Sequence, residues 1–96
     1  MHFSWDPKKA ARNARDHGIT FEEAKEVFET AAPVLEEADI EHSNDEDRFW
    51  TIGPVVRGLV VVVWAEWEGD TIRIISARFA EPPERARYRK FLKGQR

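Results

Sequence analysis

Hydrophobic positions recur at helical spacing near both ends of the chain and at strand spacing in its middle. The first helical segment has clear end signals. Asp6 is a favourable N-cap and Pro7 suits the first helical position, while Gly18 supplies a left-handed stop after His17. These signals predict a first helix that ends at His17.

Two further helices are indicated. The segment Thr20–Glu23 has the spacing of a capping box, and the apolar positions after it keep a helical period. We therefore expect the second helix to end near Thr30. Pro82 and Pro83 open a last helix, and its buried stripe consists of Tyr88, Phe91 and Leu92.

The pattern in the middle of the chain predicts β-strands, with a hairpin turn at Glu68–Asp70. Four strand segments are predicted, namely Val34–Ala38, Arg48–Gly53, Leu59–Trp67 and Thr71–Phe79. A short β segment precedes the first helix. Because helices cluster at the ends, we expect a single α+β domain over residues 1–96. It should have two N-terminal helices, a mostly antiparallel four-stranded sheet and a C-terminal helix.

Composition narrows the class of protein. Four Trp and six Phe in 96 residues argue against disorder, and the longest apolar run has seven residues, far short of a membrane span. The chain has no Cys and three scattered His, so no thiolate or zinc site and no metal cofactor are predicted. The N-terminal residues contain no export signal, so a cytoplasmic protein is expected.

The net charge of −3 conceals a division along the chain. Residues 33–47 carry seven acids and no base, whereas residues 81–96 carry six bases and two acids. Both runs are compatible with ordinary solvated surface. The sharper interpretation is a cationic end that holds phosphates and an acidic loop that faces elsewhere.

Six segments in this order resemble the BrnT family of toxins from type II toxin–antitoxin systems. They are Phe3–Ala10, Asn13–Ala24, Val27–Phe28, Glu46–Gly53, Ile72–Arg78 and Pro83–Tyr88. The resemblance implies a RelE-like fold and a metal-independent endoribonuclease that arrests bacterial growth. It also implies a BrnA-like ribbon-helix-helix antitoxin, through which alone the toxin would reach operator DNA and repress its own operon. Toxins of this fold are usually basic, whereas the pI of this chain is about 5.6.

RNA cleavage without a metal needs a base for the ribose 2′-OH, cations for the phosphorane-like transition state and an acid for the leaving oxygen. Arginine suits the second task because its planar fork binds phosphate oxygens in pairs. An antiparallel pair with its turn at Glu68–Asp70 should bring Arg57 beside Arg78. Arg85 is expected at the same edge. Each of these arginines can alternatively be a surface residue or pair with the acidic segment.

Two further residues complete the catalytic candidates. His17 has a suitable intrinsic pKa for a base, although a residue at a helix C-terminus can simply interact with the helix dipole. Tyr88 can donate to the leaving oxygen or belong to the core. Glu84 also qualifies as a base, yet a carboxylate is ordinary at a helix N-terminus. The RNA-binding candidates are Arg73, Arg89 and Lys90.

Two other functions remain open. A catalytically inactive module that binds the antitoxin and acts only in the repressor complex would fit the acidic pI and the lack of a defined base. A direct DNA-binding protein fits least, because no helix-turn-helix with a basic recognition helix is present.

Overall fold

The computed structural model describes residues 1–42 and 46–95. Strands and helices are numbered separately in chain order. They are β1 (His2–Ser4), α1 (Pro7–His17), α2 (Phe21–Lys25), β2 (Leu35–Ala38), β3 (Arg48–Val55), β4 (Gly58–Trp67), β5 (Thr71–Phe79) and α3 (Pro82–Lys93). Short 3₁₀ turns follow α2 at Glu26–Phe28 and β2 at Ile40–His42. The α+β class and the C-terminal helix are thus as predicted.

The sheet has five strands in the order β1-β5-β4-β3-β2. Four of them form the expected antiparallel ladder, but β1 adds to β5 in parallel, with His2 opposite Thr71 and Ser4 opposite Arg73. The prediction of a four-stranded sheet is therefore wrong by one strand, and the sheet is mixed. Three residues are too few to show an alternating pattern. The sequence therefore predicts a short β segment before the first helix but not the strand with which it pairs.

The helix ends follow the capping signals. Asp6 accepts a hydrogen bond from the Lys8 N–H at 2.9 Å, and Gly18 takes the left-handed conformation at φ 69°. The capping box at Thr20 is formed, yet α2 ends at Lys25 and continues only as a 3₁₀ turn. The second helix is thus shorter than predicted. Packing of this turn against β3, rather than helical propensity, sets where it ends.

Each face of the sheet has its own core. α1 and α2 cover one face, named here the α1–α2 face, with Phe21 and Trp64 in its centre. Trp64 is buried, and its indole N–H donates to the Thr51 hydroxyl at 2.9 Å. α3 covers part of the other face, named the α3 face, where Tyr88 packs with Ile52. Of the predicted stripe on α3, Tyr88 is buried, whereas Leu92 remains 36% exposed.

A β-bulge in β5 decides which way its last side chains point. Val63 pairs with Ser76 and Trp64 pairs with Ile74, so one extra residue, Ile75, lies between them. Before the bulge the even-numbered Ile74 belongs to the α1–α2 core. After it, the even-numbered Ser76 and Arg78 line the α3 face. The bulge thus reverses the alternation of side chains along the strand.

Asn13 takes the place of a neighbouring strand at the edge of β5. Beyond the three residues paired with β1, the side-chain amide of Asn13 donates to the Ala77 carbonyl at 2.8 Å and accepts from the Ala77 N–H at 3.1 Å. The same amide donates to the Ile19 carbonyl at 3.1 Å. This buried side chain therefore holds α1, the chain entering α2 and β5 together.

Candidate functional site

The main candidate site is a cleft of about 270 Å³ on the α3 face. α3 crosses one end of the sheet and leaves the neighbouring part open. The cleft is lined by Trp50, Ile52, Val61, Val63, Ser76, Arg78, Glu84 and Arg87. The strand register explains this grouping, because Ser76, Val63 and Trp50 lie directly opposite one another on β5, β4 and β3. Three strands and the first turns of α3 therefore build one apolar floor with a polar wall.

Arg78 and Glu84 form a two-pronged ion pair at the wall of this cleft. The Nη1 and Nη2 atoms of Arg78 donate to the two carboxylate oxygens of Glu84 at 2.7 and 2.8 Å. Glu84 Oε1 also accepts from the backbone N–H of Glu81 at 2.8 Å, which caps α3. These hydrogen bonds, above all the one from Arg78, lower the pKa of Glu84 to about 2. Glu84 is thus fully ionised at neutral pH.

Arg87 adds a second cation to the cleft. Its guanidinium lies over the ring of Trp50, 4.6 Å from the centroid, and donates to Glu37 on β2 at 2.6 Å. The spacing of Glu84 and Arg87, three residues apart, puts both on the side of α3 that faces the sheet. Two arginine forks, one carboxylate and one indole thus lie in one open depression.

This arrangement suits a phosphodiester. A phosphate can accept from the fork of Arg78 in the same two-pronged manner as Glu84 does. Once displaced from Arg78, Glu84 would lose the largest cause of its low pKa and would become a stronger base. The apolar floor and the indole of Trp50 offer a surface on which a nucleobase can pack. The cleft therefore combines anion binding with a carboxylate that anion binding would release.

Arg57 does not join this cluster, so the predicted approach of Arg57 to Arg78 is wrong. Arg57 donates to both carboxylate oxygens of Glu23 at 2.6 and 2.9 Å and lies over the Phe79 ring at 5.3 Å. Phe79 belongs to the α1–α2 face, whereas its neighbour Arg78 points to the α3 face. The two strand ends meet as expected, but the bulge turns Arg78 to the opposite side of the sheet.

The other candidates on α3 lie outside the cleft. Arg85, Arg89 and Lys90 are exposed and do not line it. Tyr88 is buried, its hydroxyl donates to the Pro33 carbonyl at 2.6 Å, and burial raises its pKa. The structure thus gives Tyr88 a packing contact beneath the helix and no access to the cleft, in line with the core alternative.

Arg73 and His17 do not line the cleft. Arg73 stacks on Trp67 at 4.5 Å and donates to the Ser4 hydroxyl at 2.6 Å, near the β1 edge. His17 is exposed at the end of α1 and lines a separate groove that borders Ser76. The structure brings neither residue to the Arg78–Glu84 pair.

The sequence does not single out Trp50 for this site, offers Glu84 only as an alternative base and passes over Arg87, yet all three line the cleft. A signal for the last two existed, because Glu84 and Arg87 share a helix face with the buried Tyr88 and Phe91. No signal in the sequence places Trp50 beside them, since that depends on the register of β3 against β4. Across residues 1–42 and 46–95, no group of side chains has the make-up of a metal site, and no helix is both long and apolar enough to cross a bilayer.

Comparison with known proteins identifies the family. The model of the family described as "Ribonuclease toxin, BrnT, of type II toxin-antitoxin system" matches residues 5–84, which include Arg78 and Glu84 but not Arg87. Among solved structures, the Brucella abortus ribonuclease toxin BrnT superposes with a TM-score of 0.62. It is 24% identical, and the match covers 84% of this chain and 97% of that chain, which supports a common fold. Curated proteins give no match. Because the family model spans most of its length, this chain belongs to the BrnT family of ribonuclease toxins of type II toxin–antitoxin systems.

Proposed function

We propose that this chain is an endoribonuclease that cleaves RNA without a metal, in the cleft that contains Arg78 and Glu84. The observation that carries the proposal is the two-pronged pair of these residues at an open, partly aromatic cleft. Arg78 is one of the residues predicted from the sequence. Glu84 replaces His17 and Tyr88 as the residue best placed for proton transfer, since neither of those two lines the cleft.

The cleavage proceeds by attack of the ribose 2′-oxygen on the adjacent phosphorus. The scissile phosphate replaces Glu84 as the acceptor of the two hydrogen bonds from the Arg78 guanidinium. The released Glu84 carboxylate then accepts the proton of the 2′-OH. The new P–O2′ bond forms as the P–O5′ bond breaks, which leaves a 2′,3′-cyclic phosphate, while O5′ takes a proton from solvent. Arg78 and Arg87 stabilise the charge that develops on the phosphate oxygens. Because the nucleophile is the 2′-OH, DNA is not a substrate.

The test compares cleavage of a short RNA by purified variants. We expect Arg78→Ala and Glu84→Gln to lower the cleavage rate at least tenfold, because each removes one partner of the reaction. Lys93→Ala, on the exposed last turn of the same helix, should cleave like the wild type. Circular dichroism checks that all variants are folded. An Arg78→Ala variant with unchanged cleavage would remove this cleft from the mechanism.

Two chemical controls address the reaction itself. A substrate with 2′-deoxyribose at the scissile position should resist cleavage, since it lacks the nucleophile. Activity should persist in excess chelator, because guanidinium groups rather than a metal stabilise the transition state. Activity that disappears in chelator would contradict the metal-free reaction and leave the cleft itself open to a different chemistry.

A second function is favoured by a specific observation. Each of the arginines Arg57, Arg78 and Arg87 is already paired with a carboxylate of this chain. Such pairs also suit an inactive module that only binds its antitoxin within a repressor complex. That alternative predicts no growth arrest when the chain is expressed alone, with a stable partner complex still formed.

Family membership implies an antitoxin partner, and we propose that it is a BrnA-like ribbon-helix-helix protein. In this proposal the antitoxin supplies the DNA-binding surface for repression of the shared operon. Co-expression tests the pairing. Growth arrest by the chain alone, relieved by the neighbouring antitoxin gene, supports both the nuclease and the partner. Arrest that this gene does not relieve would contradict the partner while leaving the nuclease standing.

A further inference from the structure

The outer face of α1 is an exposed basic surface. α1 carries four bases and one acid, and its charged side chains are all exposed. The opposite side of the helix is occupied by the buried Asn13 and by Ala10, which packs on the core. This positive face therefore serves no packing purpose within the domain.

The four bases of α1 differ in whether a carboxylate of this chain already pairs with them. Arg15 is engaged by its neighbour Asp16 at 3.2 Å. Lys9 and Arg12 form no salt bridge with any residue in the described part of the chain. They lie three residues apart, so they occupy the same side of the helix. Their charge remains available to a ligand.

Lys9 and Arg12 line a groove of about 240 Å³ between α1 and the edge of β5. Ser76 lines this groove and also lines the cleft of Arg78 and Glu84. β1 pairs with β5 only at Thr71–Arg73, so no strand separates the two depressions at Ser76. The groove and the cleft therefore meet over the edge of β5.

We propose that Lys9 and Arg12 bind backbone phosphates of an RNA strand that leaves the cleft and crosses the edge of β5 at Ser76. This inference deepens the proposed function, on which it rests, by giving the substrate a second contact beyond the scissile phosphate. The ligand class is single-stranded RNA, recognised through its phosphates and not through its bases. The acidic strand β2 lies at the far edge of the sheet, away from this path.

The experiment measures binding of 2′-O-methyl RNA, which has no 2′-OH nucleophile, at a fixed ionic strength. We expect the double variant Lys9→Ala/Arg12→Ala to bind a twelve-nucleotide strand at least tenfold more weakly than the wild type. Loss of two phosphate contacts should also reduce the slope of log affinity against log salt by about 1.4. For a dinucleotide, which is too short to reach α1, the loss should stay within about twofold.

Arg15→Ala is the matched control, because it removes a base of the same helix that already pairs with Asp16. It should change twelve-nucleotide binding by less than about twofold. A double variant that binds the long strand like the wild type would overturn the inference. The same holds if the double variant keeps RNA binding but loses an acidic protein partner, since α1 would then be a protein interface.

The outcomes separate this inference from the nuclease itself. Cleavage by the wild type, together with unchanged binding by the double variant, overturns the α1 contact alone. Long-strand binding that depends on Lys9 and Arg12 without any cleavage by the wild type supports the α1 contact and overturns the nuclease. Absence of long-strand binding by the wild type overturns both.

Discussion

Single polar side chains hold this small domain together where regular structure stops. Asn13 is the clearest case, because its one amide satisfies the N–H and carbonyl of Ala77 and the carbonyl of Ile19. All three contacts are made in a buried setting, where an unsatisfied polar group is costly. The side-chain amide of Asn13 therefore stabilises the fold through hydrogen bonds to the backbone and not through contact with solvent.

Replacement of Asn13 by Ala tests this role. We expect the free energy of unfolding to fall by about 2–4 kcal/mol, because three backbone groups lose this partner and a cavity opens. Urea denaturation measures the change. Arg15→Ala on the exposed side of α1 should change the same quantity by less than about 0.5 kcal/mol. Equal losses in the two variants would contradict the role of Asn13 as a substitute strand.

The pKa of Glu84 gives the stability of the protein a definite pH dependence. Its pKa falls from an ordinary 4.5 to about 2 in the folded protein, chiefly because of the hydrogen bonds from Arg78. The stabilisation is complete above pH 4.5 and is lost as the pH falls through about 2, since only the unfolded chain takes up the proton within that window.

We therefore expect the advantage of the wild type over Glu84→Gln, about 1–3 kcal/mol in unfolding free energy near neutral pH, to disappear by about pH 2. Urea midpoints measured between pH 2 and 7 give this difference directly. Glu68→Gln in the exposed hairpin turn is the control for the loss of one carboxylate, and it should unfold like the wild type near neutral pH. A wild-type advantage that does not depend on pH would show that the Arg78 pair does not hold the carboxylate ionised.

At the level of elements, the junction of the 3₁₀ turn with β3 depends on Gly53. A Cβ at Gly53 would come within 2.6 Å of Val27 Cγ2 and of Val34 Cγ1. Glycine is needed here for the close approach of the two valines, which fill the space that a side chain would take.

Gly53→Ala should therefore destabilise the fold by about 1–3 kcal/mol through overpacking. The midpoint of thermal unfolding is a convenient readout. Gly94→Ala at the end of α3 is matched to it, because its Cβ would meet nothing closer than 3.4 Å. That control should be neutral or slightly stabilising. A neutral Gly53→Ala would mean that the turn can shift away from β3.

Arg57 joins three elements instead of serving the cleft. Its guanidinium bonds to Glu23 at the start of α2 and to the carbonyl of Gly18 at the end of α1, while its backbone lies in the β3–β4 turn. Arg57→Ala should lower the midpoint of urea unfolding only slightly, because the Arg57 side chain is half exposed to solvent. Cleavage per folded molecule should remain within about twofold of the wild type. A tenfold loss of cleavage would show that Arg57 takes part in the reaction.

Local signals in the sequence predicted most elements correctly. The caps at Asp6, Gly18 and Thr20 are formed, and the hairpin at Glu68–Asp70 has the expected turn with φ 74° at Gly69 and 59° at Asp70. These features depend on residues close together in the chain, so a single sequence contains them.

The candidate site was harder to predict, because it depends on long-range register. Arg78 was expected at a shared edge, and the strand ends do meet there. The prediction of Arg57 as its neighbour was wrong, because the sequence does not reveal that Ile75 is an extra residue in the pairing of β5 with β4. One bulge reverses the face to which every later side chain in the strand points. Arg78 therefore lies beside Glu84 and not beside Arg57.

At the scale of the whole molecule, the division of charge reconciles the acidic composition of the chain with the RNA substrate that we propose. The acids of β2 and the bases of α1 lie at opposite edges of the sheet, because β2 and β5 are separated by β3 and β4. Three strand spacings amount to about 14 Å, which exceeds the screening length of about 8 Å at 0.15 M salt.

Neutralising Glu36 and Glu41 by glutamine should therefore change RNA affinity by less than about twofold at 0.15 M salt. At 0.01 M salt, where screening extends to about 30 Å, the same variant should bind RNA several-fold more tightly than the wild type. Fluorescence titration at the two salt concentrations tests this. An equal gain in affinity at both would mean that the acidic edge contacts RNA directly.

The acidity of β2 has a further consequence for the protein at high concentration. A strand at the border of a sheet is a template on which a second copy can assemble, and β2 pairs with no strand on its outer side among the described residues. Two molecules that met through this border would oppose Glu36 and Glu37 to the same residues of the other copy. Their mutual repulsion disfavours pairing of two copies through β2, so the residues that lower the pI also protect this border of the sheet.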